Sequence, residues 1–167
     1  MKKRSSIDSV DRILQQWTRE KPGIELSAME TIGRLKRCAA LINPKLTDVF
    51  AEFSLSRWEF DVLATLRRSG APYCLTPTEL FSTLMITSGT MTHRMMQLEK
   101  KGWITRLANE QDARSRLIQL TDSGLAVIDA ALPAHVRNET SILDSLTKED
   151  RKHLNLGLKA LLAALEN

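Results

Sequence analysis

Ser88, Thr90, Thr92, His93 and Gln97 fall toward one side of a helically spaced segment whose other side carries Met91, Met95 and Leu98. Small donors and acceptors of this kind suit the base edges and phosphates of a DNA major groove. Every exposed helix face is polar, so this one gains meaning only from its flanks. Downstream, Asp112-Ala113-Arg114-Ser115-Arg116 places two guanidinium groups beside one carboxylate. Arg114 and Arg116 at a hairpin tip can enter a narrow minor groove, where negative potential is focused. Asp112 can hold a neighbouring Arg in position by a bidentate pair. Standing alone, such a pair is a solvated salt bridge that contributes little.

A second set of charges points inward. Asp61 interrupts the apolar stretch Phe60-x-Val62-Leu63-Ala64, and Arg94 shares the inward face with Met91, Met95 and Leu98. Charges aimed at a core are costly unless they pair with each other or with a ligand, so both readings stay open. Two cysteines offer a different switch. Cys38 follows Arg37 and Cys74 follows Tyr73. A neighbouring Arg can activate a thiol, but a lone Cys on a helix is more often a small buried hydrophobe.

Catalytic chemistry finds no support. His93, His135 and His153 have no metal-ligand spacing with one another or with either Cys, and neither a P-loop nor GxGxxG occurs. Ser145-Leu146-Thr147-Lys148 fits an SxxK pattern, yet Thr147 before Lys148-Glu149-Asp150 reads better as a helix start. Neither an enzyme nor a metal nor a resident cofactor is expected.

The elements that carry these residues follow from periodicity and punctuation. The chain has 167 residues, 43% of them hydrophobic, with only seven Gly and five Pro. That is one ordinary domain with its own core. Apolar positions recur at helical spacing over 8–20, from Ser27 to Ile42, and again over 46–53, with Asn43-Pro44 predicting a kink or a break. Ser56 predicts a third helix, and Thr76-Pro77-Thr78-Glu79 opens a short one through a capping box. Thr87-Ser88-Gly89 reads as a turn before a helix over 90–101. Two short helices joined in this way form a helix-turn-helix. Residues 103–107 and 115–120 read as a hairpin, and Thr121 and Thr147 cap two last helices, with Pro133 predicting a kink.

The expected fold is therefore mainly α with a small β-hairpin wing. Residues 1–54 form N-terminal helices, 55–120 a winged helix-turn-helix lobe, and 121–167 C-terminal helices. Apolar residues at both ends, notably Leu154, Leu158, Leu161 and Leu165, exceed what one small lobe can bury and predict a homodimer. Net charge is +4, and the Lys/Arg excess lies in the first two-thirds: 10 against 7 acids over 1–54, 9 against 6 over 55–120, and 5 against 7 thereafter. An anionic partner should meet that part. No apolar run approaches the roughly 20 residues of a membrane helix, and no signal peptide follows Met1-Lys2-Lys3-Arg4, which predicts a cytoplasmic protein.

Thr76-Pro77-Thr78-Glu79-Leu80, Ser88-Gly89-Thr90-Met91-Thr92, Leu98-Glu99-Lys100-Lys101-Gly102-Trp103-Ile104, Asp112-x-Arg114 and Leu120-Thr121-x-x-Gly124 stand in one order and spacing. In these motifs the chain resembles the MarR family of winged-helix regulators. The resemblance implies a homodimeric transcriptional regulator, a repressor in type, on a pseudo-palindromic operator with half-sites about 10 bp apart. The added first helix, with Asp8-Ser9-Val10-Asp11-Arg12-Ile13 and Gln16-Trp17-x-Arg19-Glu20-Lys21-Pro22, resembles the urate-responsive, PecS-like branch. That likeness implies an effector, urate or a similar aromatic anion, bound by Trp17, Asp61 and Arg94. An anionic purine suits an Arg and an aromatic ring. A structural Asp61–Arg94 salt bridge with Trp17 in a core is the plain alternative. Redox control through Cys38 and Cys74, and a helical interaction module that does not bind DNA, are the other readings.

Overall fold

The computed structural model describes residues 7–84, 88–109 and 115–166, without the side chains of residues 88–91. The chain forms two compact units, Met1–Pro44 and Lys45–Asn167, which divide inside a helix and not at residue 54. The first unit holds α1 (Ser9–Glu20) and most of α2 (Ser27–Asp48). Asp8 caps α1, its carboxylate accepting the Val10 and Asp11 N–H groups at 2.8 Å each. The Asp11 carboxylate reaches back to the Asp8 N–H and completes a capping box. Pro44 lies within α2, so the helix continues through it and then tightens into a 3-10 turn at Val49–Phe53. Ser54, left-handed at φ 54°, ends that turn. Of the two outcomes expected at Asn43-Pro44, the helix takes the continuous one.

The second unit is the winged lobe. It comprises α3 (Arg57–Arg68), β1 (Cys74–Leu75), α4 (Pro77–Leu84), α5 (Ser88–Lys100), β2 (Ile104–Ala108), β3 (Arg116–Leu120), α6 (Asp122–Leu143) and α7 (Lys148–Leu165). Capping boxes start three of these helices: Ser56 with Glu59, Thr76 with Glu79, and Thr147 with Asp150. One boundary differs from expectation. Ser88 and Gly89 belong to α5 and not to the preceding turn, while α6 holds Pro133 in its interior.

The expected hairpin is part of a three-stranded antiparallel sheet of order β1-β3-β2. Ile104 pairs with Leu120 and Ala108 with Arg116, while Cys74 pairs with Gln119. One core unites the lobe. Phe50, Leu63 and Leu66 meet Leu80 from α4, Met95 and Leu98 from α5, Ile104 and Ile118 from the sheet, and Ile128 and Ala131 from α6. Gly102, at φ 71°, ends α5 in a conformation that favours glycine and turns the chain into β2. Thr121 and Ser123 at the start of α6 donate their hydroxyls to the Gly102 carbonyl at 2.6 and 2.7 Å. The end of α5 and the start of α6 are thus tied at one carbonyl. No helix among the described residues is long and apolar enough to cross a membrane.

Candidate nucleic-acid interface and effector residues

Helix α5 presents its two faces as the spacing predicts. Met95 and Leu98 are buried, whereas Thr92, His93 and Gln97 are exposed. The Gln97 amide lies 2.9 Å from His93 Nε2, one turn back, so the two side chains already form one polar group. Ser88 and Thr90 occupy the first turn of α5, with side chains outside the described set. Arg116 is exposed at the first position of β3. Asp112 and Arg114 lie outside the described residues. Next to β2 and β3, the Asn109 amide donates to the Ser115 hydroxyl at 2.7 Å. Arg106 on β2 bonds Glu99 on α5 at 3.2 Å, which links the wing stem to the reading helix.

A tie that the sequence only half shows fixes the other end of α5. Glu59, which closes the α3 capping box with Ser56, is buried and also receives Lys101 at 2.7 Å. Burial pushes the Glu59 carboxyl up, but the Lys101 ammonium and the Ser56 N–H and hydroxyl outweigh it and hold it below the ordinary range. Lys101 also donates to the Ser54 carbonyl at 3.3 Å and lies over the Trp103 ring, 4.4 Å from its centre. Beside this tie a cleft of about 520 Å³ opens between Ser56, Trp58, Glu59, Gln97, Lys100 and Lys101. Neither Asp61 nor Arg94 lines it.

The two inward charges are half-buried in the same lobe. Among the described residues no ion pair joins Asp61 to Arg94. Arg94 instead lays its guanidinium over the Trp58 ring, 5.3 Å from the centre. Burial pushes the Asp61 carboxyl up, and the charges of Arg57, His135, Arg68 and Arg94 offset this only in part. Trp17 is 43% exposed on α1, in the other unit, and so is not a core side chain there. His135 is a residue that spacing arguments passed over. Its ring lies between Phe50 and Phe60, with centroids 5.3 and 4.6 Å away, and Nε2 is 3.2 Å from Glu139. Its Nδ1 is buried without a hydrogen-bond partner among the described residues.

A stability test follows from Asp61. Its raised pKa means that the folded chain holds the proton more tightly than the unfolded chain. The cost of burying it is therefore absent below the ordinary value of 3.8, grows as pH rises through the raised value, and stays constant above. Asp61→Asn should raise Tm by a few degrees at neutral pH, with the gain vanishing in acid. A Tm that falls at neutral pH would show that the carboxylate has a strong partner.

The cysteines differ from one another. Cys38 is exposed on α2, whereas Cys74 is half-buried in β1, where burial and then Glu79 push its thiol up. A raised thiol pKa reduces the thiolate available for oxidation. Among the described residues no group of His, Cys, Asp and Glu is arranged to hold a metal ion.

A short-helix pair, an exposed polar reader and a two-stranded wing are the parts of a winged DNA-binding lobe. Residues 55–115 match the MarR family. Over 157 residues the chain is 44% identical to the HTH-type transcriptional regulator PecS of Dickeya dadantii, covering 94% of this chain and 92% of that protein. The chain belongs to the MarR family. It is 32% identical over 118 residues to the multiple antibiotic resistance protein MarR of Salmonella typhimurium, covering 68% of this chain and 78% of that one. Among solved structures, a mutant MarR from E. coli complexed with operator DNA superposes with a TM-score of 0.71 at 25% identity, over 84% of this chain and 99% of that chain. A putative MarR-like regulator from Bacillus cereus shares the fold at a TM-score of 0.75 and 19% identity, over 84% of this chain and 99% of that one. This MarR-family chain is a DNA-binding transcriptional regulator and not an enzyme. The reading as an interaction module without DNA is set aside.

Proposed function

We propose that this MarR-family protein is a cytoplasmic, homodimeric repressor that leaves its operator when it binds urate or a similar aromatic anion. Ser88, Thr90, Thr92, His93 and Gln97 meet the major groove, Arg114 and Arg116 the minor groove, and Asp112 holds the wing. Trp17, Asp61 and Arg94 receive the effector. The observation that carries this reading is the pair of half-buried opposite charges without an ion pair between them, one with its carboxyl pushed up. An acid and a guanidinium kept apart at such a cost suit a planar anion that donates and accepts hydrogen bonds. Arg94 lies on α5, so an effector that draws on Arg94 acts on the reading helix itself.

Dimerisation has support of its own. Leu154, Leu158, Leu162 and Leu165 on α7 are 42–74% exposed, and Ile32 and Leu35 on α2 are 47% and 38% exposed. Apolar rows of that extent are rare on monomers. The deciding experiment is fluorescence anisotropy on DNA from upstream of the protein's own gene, with unrelated DNA as control and urate as titrant. Selective binding that urate weakens supports the reading. Selective binding that urate leaves unchanged overturns the effector assignment and returns Asp61 and Arg94 to structural roles.

A further inference from the structure

Among the described residues, the ties of helix α1 to α2 lie at one end of α1. Val10 is its only buried residue, and it lies against Gly33 so closely that a Cβ built there would be 3.1 Å from Val10 Cγ1. One residue further along α2, Arg34 spreads its guanidinium over three carboxylates. It meets Asp8 at 2.8 Å and also bonds Asp11 and Glu30. Glu30 lies one turn back on α2 and orients the guanidinium, while Asp8 and Asp11 are the two residues of the α1 capping box. One network thus defines both where α1 begins and where it is fastened. The Arg34 hydrogen bond first, and then the Asp11 N–H, hold the Asp8 carboxyl below its usual range. Among the described residues, the far half of α1 has no comparable anchor. Residues 15–20 are all exposed, Trp17 among them, and the linker beyond turns at Gly23 with φ 89°.

We infer that Arg34 is the positioning residue of the effector arm: its junction with Asp8 and Asp11, seated by Val10 on Gly33, fixes how α1 projects from α2 and so where Trp17 stands. Arg34 itself touches neither effector nor DNA in this scheme. The inference rests on the reading that Trp17 contacts the effector. If the arm keeps its place only a tenth of the time without the junction, apparent effector affinity falls about tenfold while intrinsic affinity is unchanged.

The test uses the full-length protein and three measurements: DNA affinity, the urate concentration that halves DNA binding, and the rate of tryptic cleavage after Arg19. Arg34→Gln should keep DNA affinity within about twofold, raise the urate midpoint about tenfold and speed cleavage. Gly33→Val, which crowds Val10 and alters no charge, should do the same. Arg34→Lys, which can hold one carboxylate at a time, should recover part of the response. Faster cleavage with an unchanged urate midpoint in a protein whose parent responds overturns the inference and leaves the effector reading intact. A parent that binds its operator and ignores urate overturns the effector reading, and this inference with it.

Discussion

His93→Ala combined with Gln97→Ala is expected to weaken operator binding about 100-fold and to leave binding to unrelated DNA within about twofold, because each base-edge contact is worth roughly 1–3 kcal/mol and non-specific affinity comes from phosphates. The fold should not suffer. Both side chains are exposed, they bond one another at 2.9 Å, and the face that packs the core belongs to Met95 and Leu98. Alanine is also the better helix former at each position. Anisotropy on the two DNAs, together with a melting curve, separates the outcomes. An equal loss on both would mean that this face meets only the backbone. Arg116→Ala should behave differently, weakening binding at every sequence and lowering the salt slope by about one.

Gly124→Ala should destabilise the lobe by about 3 kcal/mol or more, a fall of roughly 6–12 °C in Tm for a chain of this size. A Cβ built at Gly124 would lie 2.0 Å from the Trp103 carbonyl oxygen and 2.8 Å from its carbon. Those are backbone atoms, so nothing flexible can give way. The Trp103 carbonyl is also engaged, accepting the Thr121 N–H at 3.1 Å. Relief requires α6 to lift from the turn after α5. That movement breaks the Thr121 and Ser123 bonds to Gly102 and loosens Ile128 and Ala131 in the core. Thermal unfolding followed by circular dichroism checks it. A Tm within about 2 °C of the parent would mean that α6 can shift without disturbing the core.

Local chemistry was readable and long-range chemistry was not. Ser56 with Glu59, Thr76 with Glu79 and Thr147 with Asp150 are encoded within four residues, and the helix starts at each follow directly. Strand β1 went unread because Cys74 and Leu75 show no period, and their partners Gln119 and Ile118 lie far along the chain. The continuation of α2 through Pro44 went against a helix-interior cost of about 3 kcal/mol. Ser56 was visible as a cap, but the partner of its box residue Glu59, Lys101, lies across the lobe. For Asp61 and Arg94 the pattern revealed two charges on apolar faces. Only coordinates show that Arg94 lies over Trp58 and that no ion pair joins it to Asp61 among the described residues. Gly124 stood out as part of a motif, and its reason is the carbonyl of Trp103.

The Gly102 carbonyl has a mechanical consequence. Two hydroxyls fasten it to the start of α6, and Lys101 beside it is fastened to Glu59 on α3. Two rods pinned rigidly at a corner that rests on a fixed block make a bell crank. The α6 arm has 22 residues and the α5 arm 13. At about 1.5 Å per residue they are roughly 33 and 20 Å long. A tilt of about 5° at the pin carries the Leu143 end by roughly 3 Å and the Ser88 end by a little under 2 Å. Motion at the Leu143 end of α6 would therefore reach the first turn of α5 at about six-tenths of its amplitude.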